Sequence, residues 1–172
     1  MTFFNAMQRL SRSSTSPLLI GGLELSHPER VEPFFQQTTD AVFFFNHLGE
    51  IIYFNEYLPQ MLGYSEETLY EHFAVFNPPE QLEAVTAFFN RALAGETVHY
   101  TAQGLHVDQH RLTLKITNMP IEQGGQIVGV YGVARDITRE KQLEDDVAQI
   151  RSQLELTEQI PELVVFTYDP ST

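Results

Sequence analysis

Cysteine is missing from the 172-residue chain, and basic residues are few. Without thiols the chain can form no disulfide framework, no cysteine zinc site and no thiol nucleophile, which fits a reducing compartment. Only 10 Lys+Arg stand against 23 Asp+Glu, so the formal net charge is -13. A surface of that sign repels phosphate backbones and anionic lipid headgroups. We therefore expect no nucleic acid partner.

A long hydrophobic run is also missing. The apolar stretch near the start, Pro17 to Leu25, is interrupted by Gly21, Gly22 and Glu24. It is too short to span a bilayer, and it lacks the form of a signal peptide. We therefore expect no direct membrane insertion and a cytoplasmic location.

Catalytic motifs are lacking as well. The sequence has no nucleophile elbow, no phosphate loop and no metalloprotease motif. Its acidic clusters, such as Glu66-Glu67 and Glu144-Asp145-Asp146, fall on predicted helix starts and solvated helix faces rather than in a converging acid–base pair. We do not expect this chain to be an enzyme.

What the chain does contain is enough apolar material for one core. It is 42% hydrophobic and 12% aromatic, which suits a single packed domain with flanking segments. Residues 1–33 are predicted to form a leader. After it, the apolar runs Ala41–Phe45 and Ile51–Phe54 flank the turn Asn46–Gly49. This arrangement predicts an antiparallel hairpin.

The middle of the chain is predicted to be helical. Ser65 provides a capping hydroxyl, Pro78-Pro79 opens a longer helix, and Gly95 closes it. That helix carries one apolar face, which should lie across a sheet. The residues of this face are Leu82, Val85, Phe89, Ala92 and Leu93.

After this helix, apolar and polar residues alternate with a period of two, as they do in strands. Leu112, Leu114 and Ile116 alternate with polar residues, as a strand with one buried and one wet face requires. Further strands are predicted at 97–105 and 127–134, with Gly124-Gly125 as a turn. Two strands, several helices and three more strands predict an α+β fold.

The C-terminal part is predicted to be a signalling helix over 139–160. Its apolar residues are spaced by four, three and four positions, which is typical of a short coiled-coil seam. We therefore predict a homodimer with its interface at Leu143, Val147, Ile150 and Leu154. Residues 164–169 resemble 41–46, so 161–172 is predicted to begin a second, truncated repeat of the domain.

Two stretches carry a family resemblance. DAVFFFNHLGEIIYFNEYLPQMLGYSEETL resembles the opening of a PAS domain, and IVGVYGVARDITREKQLE resembles its close, with Asp136-Ile137-Thr138 at the exit. The resemblance implies a PAS sensory domain over 34–138, with a five-stranded antiparallel sheet, helices packed on one face and a pocket between them. It also implies terminal helices that carry output, and an input role in a multidomain bacterial signalling protein. A histidine kinase, GGDEF or EAL output domain would follow in the same polypeptide.

The strand parity that the resemblance supports predicts a ligand pocket. The side of the last strand that faces the pocket should carry Val130, Gly132 and Ala134. The small Gly and Ala at two of these positions leave room beneath the long helix. The alternative is a core filled by the 13 Phe residues. The predicted ligand-binding residues are Phe43, Phe45, Phe89, Leu112, Leu114, Ile116, Val130, Gly132 and Ala134.

No cofactor is predicted. Flavin-binding relatives that form a photoadduct need a Cys, which excludes that chemistry here. Haem is disfavoured, because relatives that bind it use a His on the long helix, and residues 80–94 contain none; His72 lies just before. His106, Asp108 and His110, with His99 nearby, could bind a metal, but we favour a polar hairpin tip and predict no metal site.

The exit sequence is predicted to transmit the signal. Asp136 or Thr138 can cap the outgoing helix while Ile137 packs on the sheet, so that strand movement becomes helix movement. Three functions stay open: a sensor that binds a small ligand or partner, a ligand-free dimerisation spacer, and a metal- or haem-dependent sensor.

Overall fold

The computed structural model describes residues 18–20, 23–25 and 38–158. The chain divides into two compact units, Met1–Ile137 and Thr138–Thr172. Within the described part, none of the helices combines the length and the hydrophobicity needed to cross a bilayer. The predicted repeat at 161–172 and the last two residues of the predicted signalling helix lie outside the described residues.

The first unit contains a small hairpin, a five-stranded sheet and a set of short and long helices. The described residues of the second unit, 138–158, form the helix α4. In chain order the elements are β1 (Leu18–Ile20), β2 (Leu23–Leu25), β3 (Ala41–Asn46), β4 (Ile51–Phe54), α1 (Tyr57–Leu62), α2 (Glu66–Leu69), two 3-10 helices (Phe73–Phe76 and Pro79–Gln81), α3 (Leu82–Leu93), β5 (Val98–Leu105), β6 (Arg111–Gln123), β7 (Gln126–Asp136) and α4 (Thr138–Glu158).

The main sheet has the order β4-β3-β7-β6-β5, and every neighbouring pair is antiparallel. The first and last parts of the domain therefore meet in the middle of the sheet, where β3 pairs with β7. The α+β class and the five-stranded antiparallel sheet expected from the sequence are confirmed. The separate β1–β2 hairpin was not predicted, because residues 1–33 were interpreted only as a leader.

Local chemistry explains the predicted hairpin between β3 and β4. Gly49 has φ 84°, a conformation that residues with a Cβ rarely adopt. The Asn46 side chain accepts hydrogen bonds from the backbone N–H groups of Leu48 at 2.9 Å and Glu50 at 3.0 Å. These turn residues join β3 and β4 as an antiparallel hairpin, as the sequence predicted.

The helices begin and end near the predicted residues. The Ser65 hydroxyl accepts from the Thr68 N–H at 3.4 Å and caps α2. A 3-10 turn at Pro79 leads into α3, and Gly95 follows that helix with φ 99°. Val85, Phe89 and Ala92 form the buried face of α3. This face packs against the inner side of the sheet, where the main core lies.

Candidate functional site

A cavity lies between the inner face of the sheet and the helices, and it is partly open to solvent. It offers about 60 Å³ to the centres of water-sized molecules. Its wall is mostly apolar and draws on the sheet, α1, the first 3-10 helix and α3. The lining residues are Phe43, Phe45, Ile51, Leu58, Met61, Leu62, Phe73, Phe76, Asn77, Val85, Phe89, Tyr100, Leu114, Ile116, Asn118 and Ala134.

Six of the nine predicted pocket residues lie in this wall. They are Phe43, Phe45, Phe89, Leu114, Ile116 and Ala134. The other three, Leu112, Val130 and Gly132, do not line the cavity. Leu112 and Val130 are buried in the packed core instead.

Gly132 does not leave the space that the sequence suggested. It pairs with Phe43 across the sheet, and the Phe43 ring lies over it. A Cβ added at Gly132 would fall 2.0 Å from Phe43 Cε2. The gap left by the missing side chain is therefore filled by an aromatic ring of the neighbouring strand, which then forms part of the cavity wall.

Sequence reasoning missed the polar residues of the cavity wall, which are Asn77, Tyr100 and Asn118. Asn118 and Tyr100 are in contact and form the polar corner of the cavity. Asn118 continues the two-residue period of Leu114 and Ile116, so the alternation along β6 could have found it. The predicted buried face of this strand ended at Ile116, because Asn118 is polar and does not continue the apolar pattern. The result is one amide on an otherwise apolar face.

The polar corner is built around a buried hydrogen bond. Asn118 is 1% exposed, and its Nδ2 donates to the Tyr100 hydroxyl at 3.1 Å. Its Oδ1 has no hydrogen-bond partner among the described residues. Burial raises the pKa of Tyr100 to about 12, with the bond from Asn118 acting in the opposite direction. Tyr100 is therefore a neutral phenol over the physiological range, held by the stacked ring of Phe88 at 4.3 Å.

The hairpin between β5 and β6 carries the His/Asp cluster. His106 Nδ1 lies 2.8 Å from Asp108 Oδ1, and His110 Nδ1 also contacts that oxygen. One donor or acceptor atom from each residue lies within 4.8 Å of the others, so the three could hold a divalent cation. Hydrogen bonds from His106 and from the His110 backbone lower the pKa of Asp108 to about 2. His99 bonds Thr117 Oγ1 at 2.9 Å instead of joining the cluster.

This cluster occupies an exposed hairpin tip, in the position that the sequence predicted. The tip is fixed to the end of α1, because the Val107 N–H donates to the Leu62 carbonyl at 2.9 Å. His72, the remaining haem candidate, is exposed and does not line the cavity. Its Nδ1 accepts from the Ala74 N–H at 3.1 Å and begins a 3-10 helix.

Comparisons with known proteins agree with this architecture. A family model described as PAS fold matches residues 35–142. The chain belongs to the PAS family. A PAS domain is a sensory module rather than a catalytic one, in agreement with the expectation that this chain is not itself an enzyme. No curated protein sequence matched the chain.

Solved PAS domains are similar to this one in fold. A PAS domain from Colwellia psychrerythraea is 25% identical, with a TM-score of 0.60, over 64% of this chain and 97% of that one. A domain of a sensory box sensor histidine kinase/response regulator from Geobacter sulfurreducens is 18% identical, with a TM-score of 0.55, over 64% of this chain and 95% of that one. The N-terminal domain of a diguanylate cyclase with a PAS/PAC sensor from Marinobacter aquaeolei is 18% identical, with a TM-score of 0.53, over 59% of this chain and 98% of that one.

The exit of this PAS domain is tied to the sheet next to the cavity. Ile137 is 8% exposed, and its N–H donates to the Thr113 carbonyl at 2.8 Å. Just before it, Arg135 forms a bidentate ion pair with Asp40, in which Nε lies 2.8 Å from Oδ1 and Nη2 lies 2.9 Å from Oδ2. The predicted packing of Ile137 on the sheet is therefore present. The capping roles of Asp136 and Thr138 stay predictions.

The predicted dimer seam lies on α4. Leu143, Val147, Ile150 and Leu154 are 49% to 60% exposed in the single chain. Large apolar side chains at this spacing on one helix form a stripe that a second helix can cover. The homodimer itself stays a prediction.

Proposed function

We propose that this PAS domain is a sensory input module that binds a small molecule in its cavity and passes a conformational change through α4 to an output domain in the same polypeptide. The cavity is the observation that carries the proposal. A concave, mostly apolar space with a few polar groups is the usual form of a small-molecule site. A core that served only for packing would be filled.

The path from the cavity to the exit is short. Leu114 and Ala134 line the cavity, and Leu114 pairs with Asp136 in the sheet. Thr113, the neighbour of Leu114, accepts the hydrogen bond from Ile137. A shift of the wall at β6 therefore displaces the acceptor that holds the exit. The chain continues directly into α4, whose apolar stripe would form the homodimer seam.

The choice of output domain follows from the relatives. The similar domains come from a sensor histidine kinase/response regulator and from a diguanylate cyclase with a PAS/PAC sensor. We therefore propose a histidine kinase or a GGDEF-type diguanylate cyclase as the output, and an EAL domain as a further candidate of the same signalling class. The module would act by biasing two arrangements of the paired helices.

The transmission path can be tested in this chain by NMR. Ile116→Phe places a larger ring in the cavity wall, and the matched control Thr117→Phe places the same ring on the opposite face of the same strand. We expect Ile116→Phe to shift the amide resonances of 136–138 and of the first turn of α4, and the control to leave them near their original positions. Equal shifts in both variants would mean that the cavity has no privileged connection to the exit.

The exit sequence itself is tested in the full-length parent. Asp136→Ala and Thr138→Ala should leave folding and dimerisation intact, because losing one helix cap costs only about 1 kcal/mol. The output activity of both variants should respond less to the stimulus than that of the parent. If both respond like the parent, the exit is a structural join and the transmission part of the proposal is wrong.

The proposal includes no resident flavin or haem. The cavity has room for a small molecule, and neither a Cys nor an inward-facing His is among its lining residues. Purified protein should therefore be colourless. A visible absorption band that co-purifies at near-unit occupancy would contradict this expectation.

A ligand-free dimerisation spacer is the second candidate, and the exposed stripe on α4 favours it. The two functions differ in what the cavity does. For a spacer, Ile116→Phe should leave the output of the full-length protein unchanged as long as the dimer persists. For a sensor, the same variant should hold the output at one level with and without stimulus.

A further inference from the structure

Asn118 Oδ1 is a buried acceptor without a partner, and it belongs to a residue that lines the cavity. Native proteins satisfy nearly all buried polar atoms, so each exception needs a physical explanation. The neighbouring Tyr100 hydroxyl does not satisfy Oδ1, because its bond to this amide is the one it accepts from Asn118 Nδ2 at 3.1 Å. Asn118 lines the cavity, so a ligand there is well placed to supply the missing donor once the side chain adjusts to it.

We infer that the cavity takes a small, neutral and mainly apolar molecule that donates one N–H or O–H hydrogen bond to Asn118 Oδ1. This inference rests on the proposed sensory function and specifies its ligand class. A donor is required because the open atom of the amide is a carbonyl oxygen, which can only accept. A ligand without a donor would desolvate this oxygen and leave it unpaired, at a cost in affinity.

The rest of the wall requires the ligand to be neutral. Apart from Asn77, Tyr100 and Asn118, the lining residues are all apolar, and none is Asp, Glu, Lys, Arg or His. An ionised group in this space would lose its hydration without gaining a counter-charge. The raised pKa of Tyr100, about 12, means that the polar corner supplies no charge either.

The cavity volume fits a ligand of about one ring. The space of about 60 Å³ corresponds to roughly four water molecules. A body of that size is comparable to a single six-membered ring with one polar substituent. Aromatic edges of Phe43, Phe45 and Phe89 would surround its apolar part.

The test uses four single-ring probes and NMR titration of the ¹⁵N,¹³C-labelled full chain. Phenol offers a donor, toluene lacks any polar group, benzaldehyde offers only an acceptor, and benzoate carries a charge. Binding in the cavity is established by intermolecular NOEs to the methyl groups of Leu114 and Ala134. The measured quantity is the ratio of the toluene Kd to the phenol Kd, because it cancels the general hydrophobicity of the ring.

Two variants assign the effect to the amide. Asn118→Leu keeps the size of the side chain and removes the acceptor, so the Kd ratio should fall about tenfold relative to the parent. Tyr100→Phe keeps Asn118 but frees its Nδ2. The amide can then present either end to the cavity, and benzaldehyde should bind more tightly to this variant than to the parent.

The outcomes separate the ligand class from the proposed function. If the parent binds phenol and toluene and the ratio is the same in Asn118→Leu, the donor assignment is wrong while the sensory cavity stands. Tighter binding of benzaldehyde than of phenol by the parent overturns the assigned polarity, and benzoate binding as tightly as phenol overturns neutrality. If no probe reaches the cavity at millimolar concentration, the proposed function itself fails.

Discussion

At the scale of single residues, Asn55 joins two parts of the domain. Its Oδ1 accepts from the Val42 N–H at 3.0 Å, and its Nδ2 donates to the Asp40 carbonyl at 3.0 Å. Asn55 and Val42 are both buried, so water cannot replace these bonds. A side-chain amide is needed here because only it offers a donor and an acceptor at the same reach.

We predict that Asn55→Ala lowers the free energy of unfolding by about 1–3 kcal/mol, because it leaves the buried Val42 N–H without an acceptor. Urea denaturation followed by circular dichroism measures the change. Asn46→Ala is the matched control, since it removes side-chain bonds to backbone N–H groups in an exposed turn, where water can take over. A loss for Asn55→Ala no larger than that of the control would contradict the argument.

Asp108 predicts a pH dependence. Its pKa lies at about 2 in the folded chain, against an ordinary value of 3.8. A carboxyl with a lowered pKa contributes stability that is present above its ordinary pKa and is lost as the pH falls toward the folded value. The parent should therefore lose stability more steeply than Asp108→Asn between these two pH values. Urea unfolding at several pH values in this range measures both slopes, and parallel slopes would contradict the prediction.

At the scale of elements, the close approach of β3 to β7 governs the shape of the cavity wall. The Phe43 ring covers Gly132, so any side chain at 132 must push an aromatic ring into the cavity. The fold accepts glycine in the interior of a strand here because the ring of the neighbouring strand packs in its place.

We predict that Gly132→Ala costs about 1–3 kcal/mol of stability through overpacking and shifts the resonances of cavity residues. Gly104→Ala is the control, in β5 of the same sheet. There the new Cβ would meet Leu114 Cδ1 at 2.7 Å, the end of a side chain that can change rotamer. Thermal unfolding should show a larger loss for Gly132→Ala, and equal losses would mean that the Phe43 ring moves freely.

Elements with a strong local pattern were predictable from the sequence. The β3–β4 hairpin, α3 and the strand at Leu112–Ile116 each follow from turn residues, capping or period, which are local properties of the chain. The filling of Gly132 by Phe43 was not predictable from one strand, because it depends on which residue a distant strand places opposite. The polar corner was missed for a related reason: Asn118 and Tyr100 approach each other only through the β5–β6 register.

At the scale of the whole molecule, assembly is the main expectation. Val147 and Ile150 are half-exposed on α4, and a partner helix would remove them from water. We predict that Val147→Glu with Ile150→Glu yields monomers by sedimentation velocity. Gln149→Glu with Ser152→Glu adds the same charge on the side of α4 away from the stripe and should preserve the dimer. Unchanged assembly of the first variant would place the interface elsewhere.

The bond between Ile137 N–H and the Thr113 carbonyl has a consequence for kinetics. This amide is buried and hydrogen-bonded, so its hydrogen can exchange with deuterium from the solvent only when the exit opens. A single amide thus reports the opening free energy of the link between sensor and helix. If signalling works by loosening that link, the deuterium uptake rate of Ile137 changes with cavity occupancy while the centre of β6 stays protected.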